Sequence, residues 1–235
     1  MLKNLKPFMT KNSKQYEISN MFSQIANHYD LLNHILSFNI DKYWRKKTAE
    51  ELSFSGKILL DVCGGTGDMA FAFKDNSLKI ICDFCHPLLL IAKKKSKQNK
   101  NVILLEANAL CLPLKNDSVD AITIAFGLRN IPDINAALNE FYRVLKKNGK
   151  LAILEFSIPK NKFFCFFYSL YLKYLIPIIG KLISDNYSAY SYLFKSIQSF
   201  PQYDQLLLYL QKTKFRNIYY RPLTLGISTI YIGIK

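Results

Sequence analysis

From residue 57 onward the apolar positions of this chain come in short unbroken runs, and the stretches between them are apolar on one helical face only. "KILLDV" (57–62), "LKIICD" (78–83), "NVILLEA" (101–107), "SVDAITIAF" (118–126) and "KLAILEFS" (150–157) have the length and branching of strands buried on both sides. "MAFAF", "PLLLIAKKK" and "DINAALNEFYRVLKK" read as the intervening helices, with Pro87 at a tolerated first-turn position and Asn148-Gly149 ending the third. Strand and helix alternating over short connections predict a parallel sheet covered on both faces. After a last helix, "YDQLLLYLQKT", the rhythm changes. "RNIYYRPL" and "GISTIYIGIK" are two β-rich runs joined by a short turn, hence a terminal antiparallel hairpin.

Two segments stand outside that alternation. "FSQIANHYDLLNHILSFNIDKYWRKKTAEEL" (22–52) has helical spacing broken near Asn39, and reads as two or three helices forming a lid over residues 19–55. Residues 157–203 are an insertion after strand five, at the strand edge where open α/β sheets bind ligands. It contains "KFFCFFYSLYLKYLIPIIGKL" (162–182), long enough to span a bilayer, but Lys173 lies in its middle and Pro177 interrupts it. The expected organisation is a flexible tail at 1–18 and a single domain at 19–235.

Composition narrows the partners. The 235 residues are half apolar and about one fifth charged, enough for one domain with a full core. The 32 Lys+Arg against 17 Asp+Glu give +15, which favours nucleic acid, a phospholipid surface or an acidic substrate. The basic start has no apolar run behind it, so neither a secretory signal nor a transit peptide is read there, and a cytoplasmic location is expected. Five unevenly spaced cysteines fit a reducing compartment. Cys82 and Cys85 form a C-x-x-C without a second ligand pair, so no metal is expected.

The strongest local signal is "DVCGGTGDMA" (61–70). Gly65, Gly67 and Ala70 satisfy the dinucleotide pattern, so the loop alone does not separate NAD from S-adenosylmethionine. Asp61, just before the loop, does: it would repel a pyrophosphate and attract the α-ammonium of S-adenosylmethionine. Asp83, ending the next strand, is placed for the ribose hydroxyls, Asn108 and Ala109 for the adenine edge, and Thr66 for the methionine end. Ala125, at the end of strand four, completes the cofactor set. The competing structural reading is that Asp61 and Asp83 cap helices and Asn108 makes a turn.

"DVCGGTGD", "TIAFGLRNIPD", "EFYRVLKKNGKLAILEFSIP" and "FNIDKYWRKK" together resemble the UbiE/MenG family of quinone-ring C-methyltransferases, from about Met21 to the C-terminus. "FGLRN" and the "IPIIGKLIS" block are its more specific marks. The resemblance implies a Rossmann-like class I methyltransferase fold with a seven-stranded, mostly parallel sheet. It implies S-adenosylmethionine as donor and demethylmenaquinol, or a 2-polyprenyl-6-methoxy-benzoquinol, as acceptor. Thr66, Asp83, Asn108 and Ala109 fall on the family's cofactor positions. Cys85, Leu88, Phe194, Lys195 and Tyr231 depart from its usual residues.

Methylating a ring carbon requires an electron-rich ring, which a quinol becomes when one hydroxyl ionises, so a cation near that oxygen is needed. Arg129 is the candidate, with Asn130 as neighbour. His28, Tyr29, Asp30 and His34 of the lid, and Glu155 at the end of strand five, are candidate proton acceptors, Tyr29 also serving as a cover for the cofactor. Phe163, Phe164, Phe166, Phe167, Tyr168 and Tyr171 are expected to line an apolar path for a polyprenyl tail, while lysines meet an anionic membrane surface at the inner face of the membrane, peripherally. "KKKSKQNK" (93–100) reads as a solvated helix end. Nucleic acid is disfavoured as a partner, because strand four leads into "AFGLRN" and not a base-clasping loop. Another class I methyltransferase, acting on a small molecule or RNA, and a homo-oligomer both stay open.

Overall fold

The computed structural model describes residues 14–97, 99, 101–176, 178 and 187–235. Seven strands form one sheet in the order β3-β2-β1-β4-β5-β7-β6. They are β1 (Ile58–Val62), β2 (Leu78–Asp83), β3 (Val102–Glu106), β4 (Val119–Ala125), β5 (Leu145–Phe156), β6 (Arg216–Leu223) and β7 (Ser228–Ile234). The pairs from β3 to β5 are parallel, and β7 runs antiparallel to both β5 and β6. The unbroken apolar runs have the expected cause. Leu59 packs with Trp44 and Met69 on one face of the sheet, while Leu60 and Val62 pack with Phe141 and Leu138 on the other, all of them buried.

The helices are α1 (Lys14–Ile25), α2 (Tyr29–Leu36), α3 (Ile40–Leu52), α4 (Asp68–Ala72), α5 (His86–Lys95), α6 (Ile134–Val144), α7 (Lys162–Leu170), α8 (Tyr187–Ser199) and α9 (Asp204–Lys212). Asn39, in left-handed conformation with φ 59°, breaks the lid between α2 and α3. Residues 14–18, assigned to the tail from sequence, lie in α1. Asp133 caps α6 by accepting from the Ala136 N–H at 2.9 Å. That helix ends at Val144 and not at Asn148-Gly149, because Leu145 already pairs with Val119 of β4 and is fully buried there. A turn with Asn148 at φ 63° then re-registers β5 so that Ala121 faces Lys150.

In the insertion, Asn161 caps α7 through the N–H groups of Phe163 and Phe164, and α7 continues into a π-helical turn at Tyr171–Leu175. Pro177 and most of the "IPIIGKLIS" block lie outside the described residues. Among the described residues no helix is long and apolar enough to cross a membrane. The tyrosine at 231 has a packing role: buried on β7, its hydroxyl accepts from the N–H of Tyr203, whose φ of 53° begins α9.

Candidate active site

The glycine loop folds back under β2: the Gly64 N–H bonds the Cys82 carbonyl at 3.0 Å, and the Gly67 N–H bonds that of Gly64 at 2.8 Å. Gly67 has φ 88°, and a Cβ there would stand 2.5 Å from the Phe71 ring, so only glycine fits. Beside the loop runs a narrow cleft of about 40 Å³, floored by Gly65, Asp83, Asn108, Ala109 and Ala125 and covered by Ile18, Phe22 and Tyr29 of the lid. The Asp83 carboxylate accepts from the Gly65 and Cys85 N–H groups, each at 2.8 Å, and burial pushes its pKa up to about 6.

A second, larger cavity of about 390 Å³ adjoins that cleft, between the lid, the insertion and the ends of β4 and β5. Phe22, Tyr29 and Phe126 line both spaces and so form the septum between them. The cavity walls are mostly apolar, with Trp44, Phe156, Phe164, Phe167, Tyr168 and Leu172 among them. Phe126 turns into the septum with φ 58°, a strained value for an aromatic residue. Its ring stacks 4.4 Å from Phe156, and its carbonyl accepts from Arg129 Nη1.

Arg129 is fixed by the fully buried Glu155, whose carboxylate accepts from Arg129 Nη1 at 2.8 Å and from the Arg129 backbone N–H at 3.2 Å. Among the described residues, three buried side-chain polar atoms lack a hydrogen-bond partner: Arg45 Nε, Arg129 Nε and the Tyr168 hydroxyl. All three side chains line the large cavity. A mostly apolar space with two arginine side chains in its wall suits an apolar ligand that carries oxygens.

Comparison with known proteins agrees with this architecture. The model of the ubiE/COQ5 methyltransferase family matches residues 9–235. The chain belongs to the ubiE/COQ5 methyltransferase family. A relative named demethylmenaquinone methyltransferase, from Thermus thermophilus, is 40% identical over 218 residues, covering 91% of this chain and 99% of the relative. A Rickettsia prowazekii relative, named ubiquinone/menaquinone biosynthesis C-methyltransferase UbiE, is 39% identical over 232 residues, covering 94% of each chain. Among solved structures, a methyltransferase from Thermotoga maritima, described as a possible histamine N-methyltransferase, superposes with a TM-score of 0.68 at 19% identity, covering 93% of this chain and 99% of that one. That likeness speaks for the fold.

The methyltransferase takes S-adenosylmethionine as its donor, and the residues lining the cleft are of the kinds that would hold it. Asp83 offers a desolvated carboxylate at a strand end for ribose hydroxyls, Leu88 and Ile131 give apolar walls for a purine, and Gly65 and Gly127 keep the backbone close. At about 40 Å³ the cleft is narrow, bounded on the lid side by Ile18 and Phe22 of α1 and by Tyr29.

The predicted site residues separate into groups. Gly65, Asp83, Asn108, Ala109 and Ala125 line the cleft together with Asn130, whose amide oxygen accepts from the Tyr192 hydroxyl at 3.2 Å. Arg129 lines the large cavity, and Tyr29 lines both spaces. Burial raises the pKa of Tyr29, against a smaller lowering by the charge of Arg45. Gly67, Asp61 and Thr66 line neither. Asp61 is fully buried under the loop, accepting from the Thr123 hydroxyl at 2.8 Å and the Ala70 N–H at 3.1 Å, and burial pushes its pKa up to about 7. Asn108 makes the turn that the structural reading anticipated, accepting from the Leu110 N–H at 2.9 Å.

The Thr66 hydroxyl donates to Asp30 of the lid, and Lys95 bonds Asp30 at 2.7 Å and Asp68 at 2.6 Å. Lys95 is therefore a strut between lid and glycine loop, where the sequence suggested a solvated helix end; Gln98 and Lys100 lie outside the described residues. His28 is exposed and lines none of these spaces, and His34 sits between Asp41 and Asp68 at a third groove, which shares Arg45 with the large cavity. Of the expected apolar path, Phe164, Phe167, Tyr168 and Tyr171 line the large cavity, while Phe163 and Phe166 point outward. Sequence reasoning missed Asp41, Arg45, Phe126 and Tyr192. The i,i+4 spacing of Asp41 and Arg45 is a signal, but it also describes an ordinary surface pair.

Proposed function

We propose that this enzyme transfers the methyl group of S-adenosylmethionine to a ring carbon of demethylmenaquinol, and to a 2-polyprenyl-6-methoxy-benzoquinol as second acceptor. The names of the Thermus and Rickettsia relatives support this reading. The observation that carries it is the large cavity itself: mostly apolar walls that include the Arg129 side chain, and three residues shared with the donor cleft.

The bound donor supplies an electrophilic methyl group on a sulfonium sulfur. Arg129, held by Glu155 and the Phe126 carbonyl, presents its remaining donors to the cavity and stabilises the ring oxygen as it loses its proton. Charge then reaches the ortho carbon, which forms the new C–C bond as the bond from sulfur to the methyl carbon breaks and S-adenosylhomocysteine becomes the leaving group; the ring hydrogen leaves as a proton, restoring aromaticity, and it and the hydroxyl proton pass to solvent. Tyr29 and Phe126 align ring and methyl group across the septum and keep water out.

The acceptor's tail supports a peripheral position on the inner face of the membrane. Phe163 (66% exposed), Phe166 (60%) and Phe38 (73%) stand out around the cavity, flanked by Lys160, Lys162 and Lys173, a pairing of apolar and basic groups suited to an anionic lipid surface. The test is Arg129→Ala, assayed with reduced demethylmenaquinone in detergent. Turnover should fall more than about a hundredfold while affinity for S-adenosylhomocysteine changes less than about twofold. Unchanged turnover would remove the role given to Arg129.

A further inference from the structure

Arg45 carries a charge that among the described residues meets only one loose ion pair, to Asp41 at 3.7 Å. The residue is 9% exposed and lines the large cavity. Its guanidinium makes no hydrogen bond to any described residue, and its Nε is buried without a partner. The nearest carboxylate oxygen, Asp41 Oδ2, stands at 3.7 Å, beyond hydrogen-bond distance. Asp41 is already engaged by His34 Nδ1 at 2.9 Å and by the Ser37 hydroxyl at 2.7 Å. A guanidinium is always charged and offers five N–H donors in a planar fork that matches a carboxylate or a pair of oxygens. A buried N–H without an acceptor, such as Arg45 Nε, is unfavourable unless a ligand brings one.

Its location says which ligands qualify. The Arg45 guanidinium carbon lies 5.2 Å from the centroid of Phe126, a residue that borders both spaces, and Arg45 itself lines the large cavity and the groove beside Asp68. Its charge is also felt by Asp61 and Asp68 of the glycine loop and by Tyr29. Asp61 is sealed beneath Thr123 and Ala70, which leaves the amino-acid end of the donor without the carboxylate that its position suggested. On α3, Asp41 and Arg45 stand side by side with opposite charges, an arrangement complementary to a zwitterion.

We propose that Arg45 is a ligand-binding cation in the wall of the large cavity beside Phe126, taking an oxyanion brought by a reactant. That oxyanion is the α-carboxylate of the donor or the ring oxygen of the acceptor; the second source rests on the proposed reading of the large cavity.

The test uses the full chain and its Arg45→Met and Arg45→Lys variants, titrated calorimetrically with S-adenosylhomocysteine and with 5′-methylthioadenosine, which keeps the nucleoside and lacks the amino-acid end. If the donor carboxylate is the partner, Arg45→Met weakens S-adenosylhomocysteine by roughly ten- to a hundredfold and leaves 5′-methylthioadenosine unchanged, with partial recovery in Arg45→Lys. If the acceptor oxygen is the partner, both nucleosides bind as in wild type and the KM for reduced demethylmenaquinone rises by a similar factor. Equal losses for the two nucleosides, or no change in either affinity or in KM, overturn the proposal. A wild-type chain that binds S-adenosylhomocysteine yet methylates no quinol would remove the proposed acceptor, and the two nucleosides would still decide Arg45.

Discussion

Replacing Glu155 by Gln tests whether the Arg129 cation is held in place or merely tolerated. The side chains are 0% and 7% exposed, the pair closes at 2.8 Å, and the same carboxylate accepts from the backbone N–H groups of Arg129 and Phe156, each at 3.2 Å. Glutamine keeps the shape and one acceptor oxygen but loses the charge, so the guanidinium stays buried with only the Phe126 carbonyl and one amide oxygen facing it. Breaking a buried pair from one side costs about 3–5 kcal/mol, and the retained hydrogen bond brings the expected loss to about 3 kcal/mol. That is a large share of the roughly 5–15 kcal/mol typical of a folded domain. Urea unfolding followed by circular dichroism gives the number. Adding Arg129→Met to Glu155→Gln should restore about 1–2 kcal/mol, because the uncompensated charge is then gone. A single-variant loss below about 0.5 kcal/mol, or a double variant less stable than Glu155→Gln, would refute this account of the pair.

Three further outcomes follow from the geometry. Gly67→Ala should cost about 2–4 kcal/mol in the same unfolding assay, since φ 88° and a Cβ 2.5 Å from Phe71 penalise any side chain. The carboxyl pKa values of Asp61 and Asp83 are raised by burial to about 7 and about 6, so between the ordinary carboxylate value and those figures the folded chain holds more protons than the unfolded one. Stability of the ligand-free protein should therefore fall as pH rises from 5 to 8, by roughly 1–3 kcal/mol, measured as urea midpoints across that range. Phe163→Ser with Phe166→Ser should weaken cosedimentation with phosphatidylglycerol vesicles by about tenfold or more, while turnover of a short-chain quinol stays at the wild-type level, because neither ring lines the cavity.

The sheet was legible because each parallel strand is buried on both faces and therefore writes itself as an unbroken apolar run. The end of α6 was not, because the stop at Val144 is set by Leu145 pairing across to Val119, a contact between positions far apart in the chain. Gly65, Asp83, Asn108, Ala109 and Ala125 were legible as cleft residues, since parallel strands end in register at one sheet edge and their last residues converge. Asp61 ends its strand at the same edge, but which way its carboxylate points depends on Thr123, its register partner on β4. Arg45 was hidden for a different reason. A helix reading "DKYWRKK" looks like one buried tryptophan among solvated charges, and only the packing of Phe126 against α3 reveals that one arginine points inward.

The central claim, that a methyl group crosses the Tyr29 and Phe126 septum onto a quinol ring carbon, is tested most directly by where the methyl ends up. Purified protein given S-adenosylmethionine with a ¹³C-labelled methyl group and reduced demethylmenaquinone in detergent should yield a quinone whose carbon NMR signal lies in the ring-methyl region, with no label on oxygen. A methoxy signal, or a quinone recovered without label while S-adenosylhomocysteine accumulates, would contradict the account.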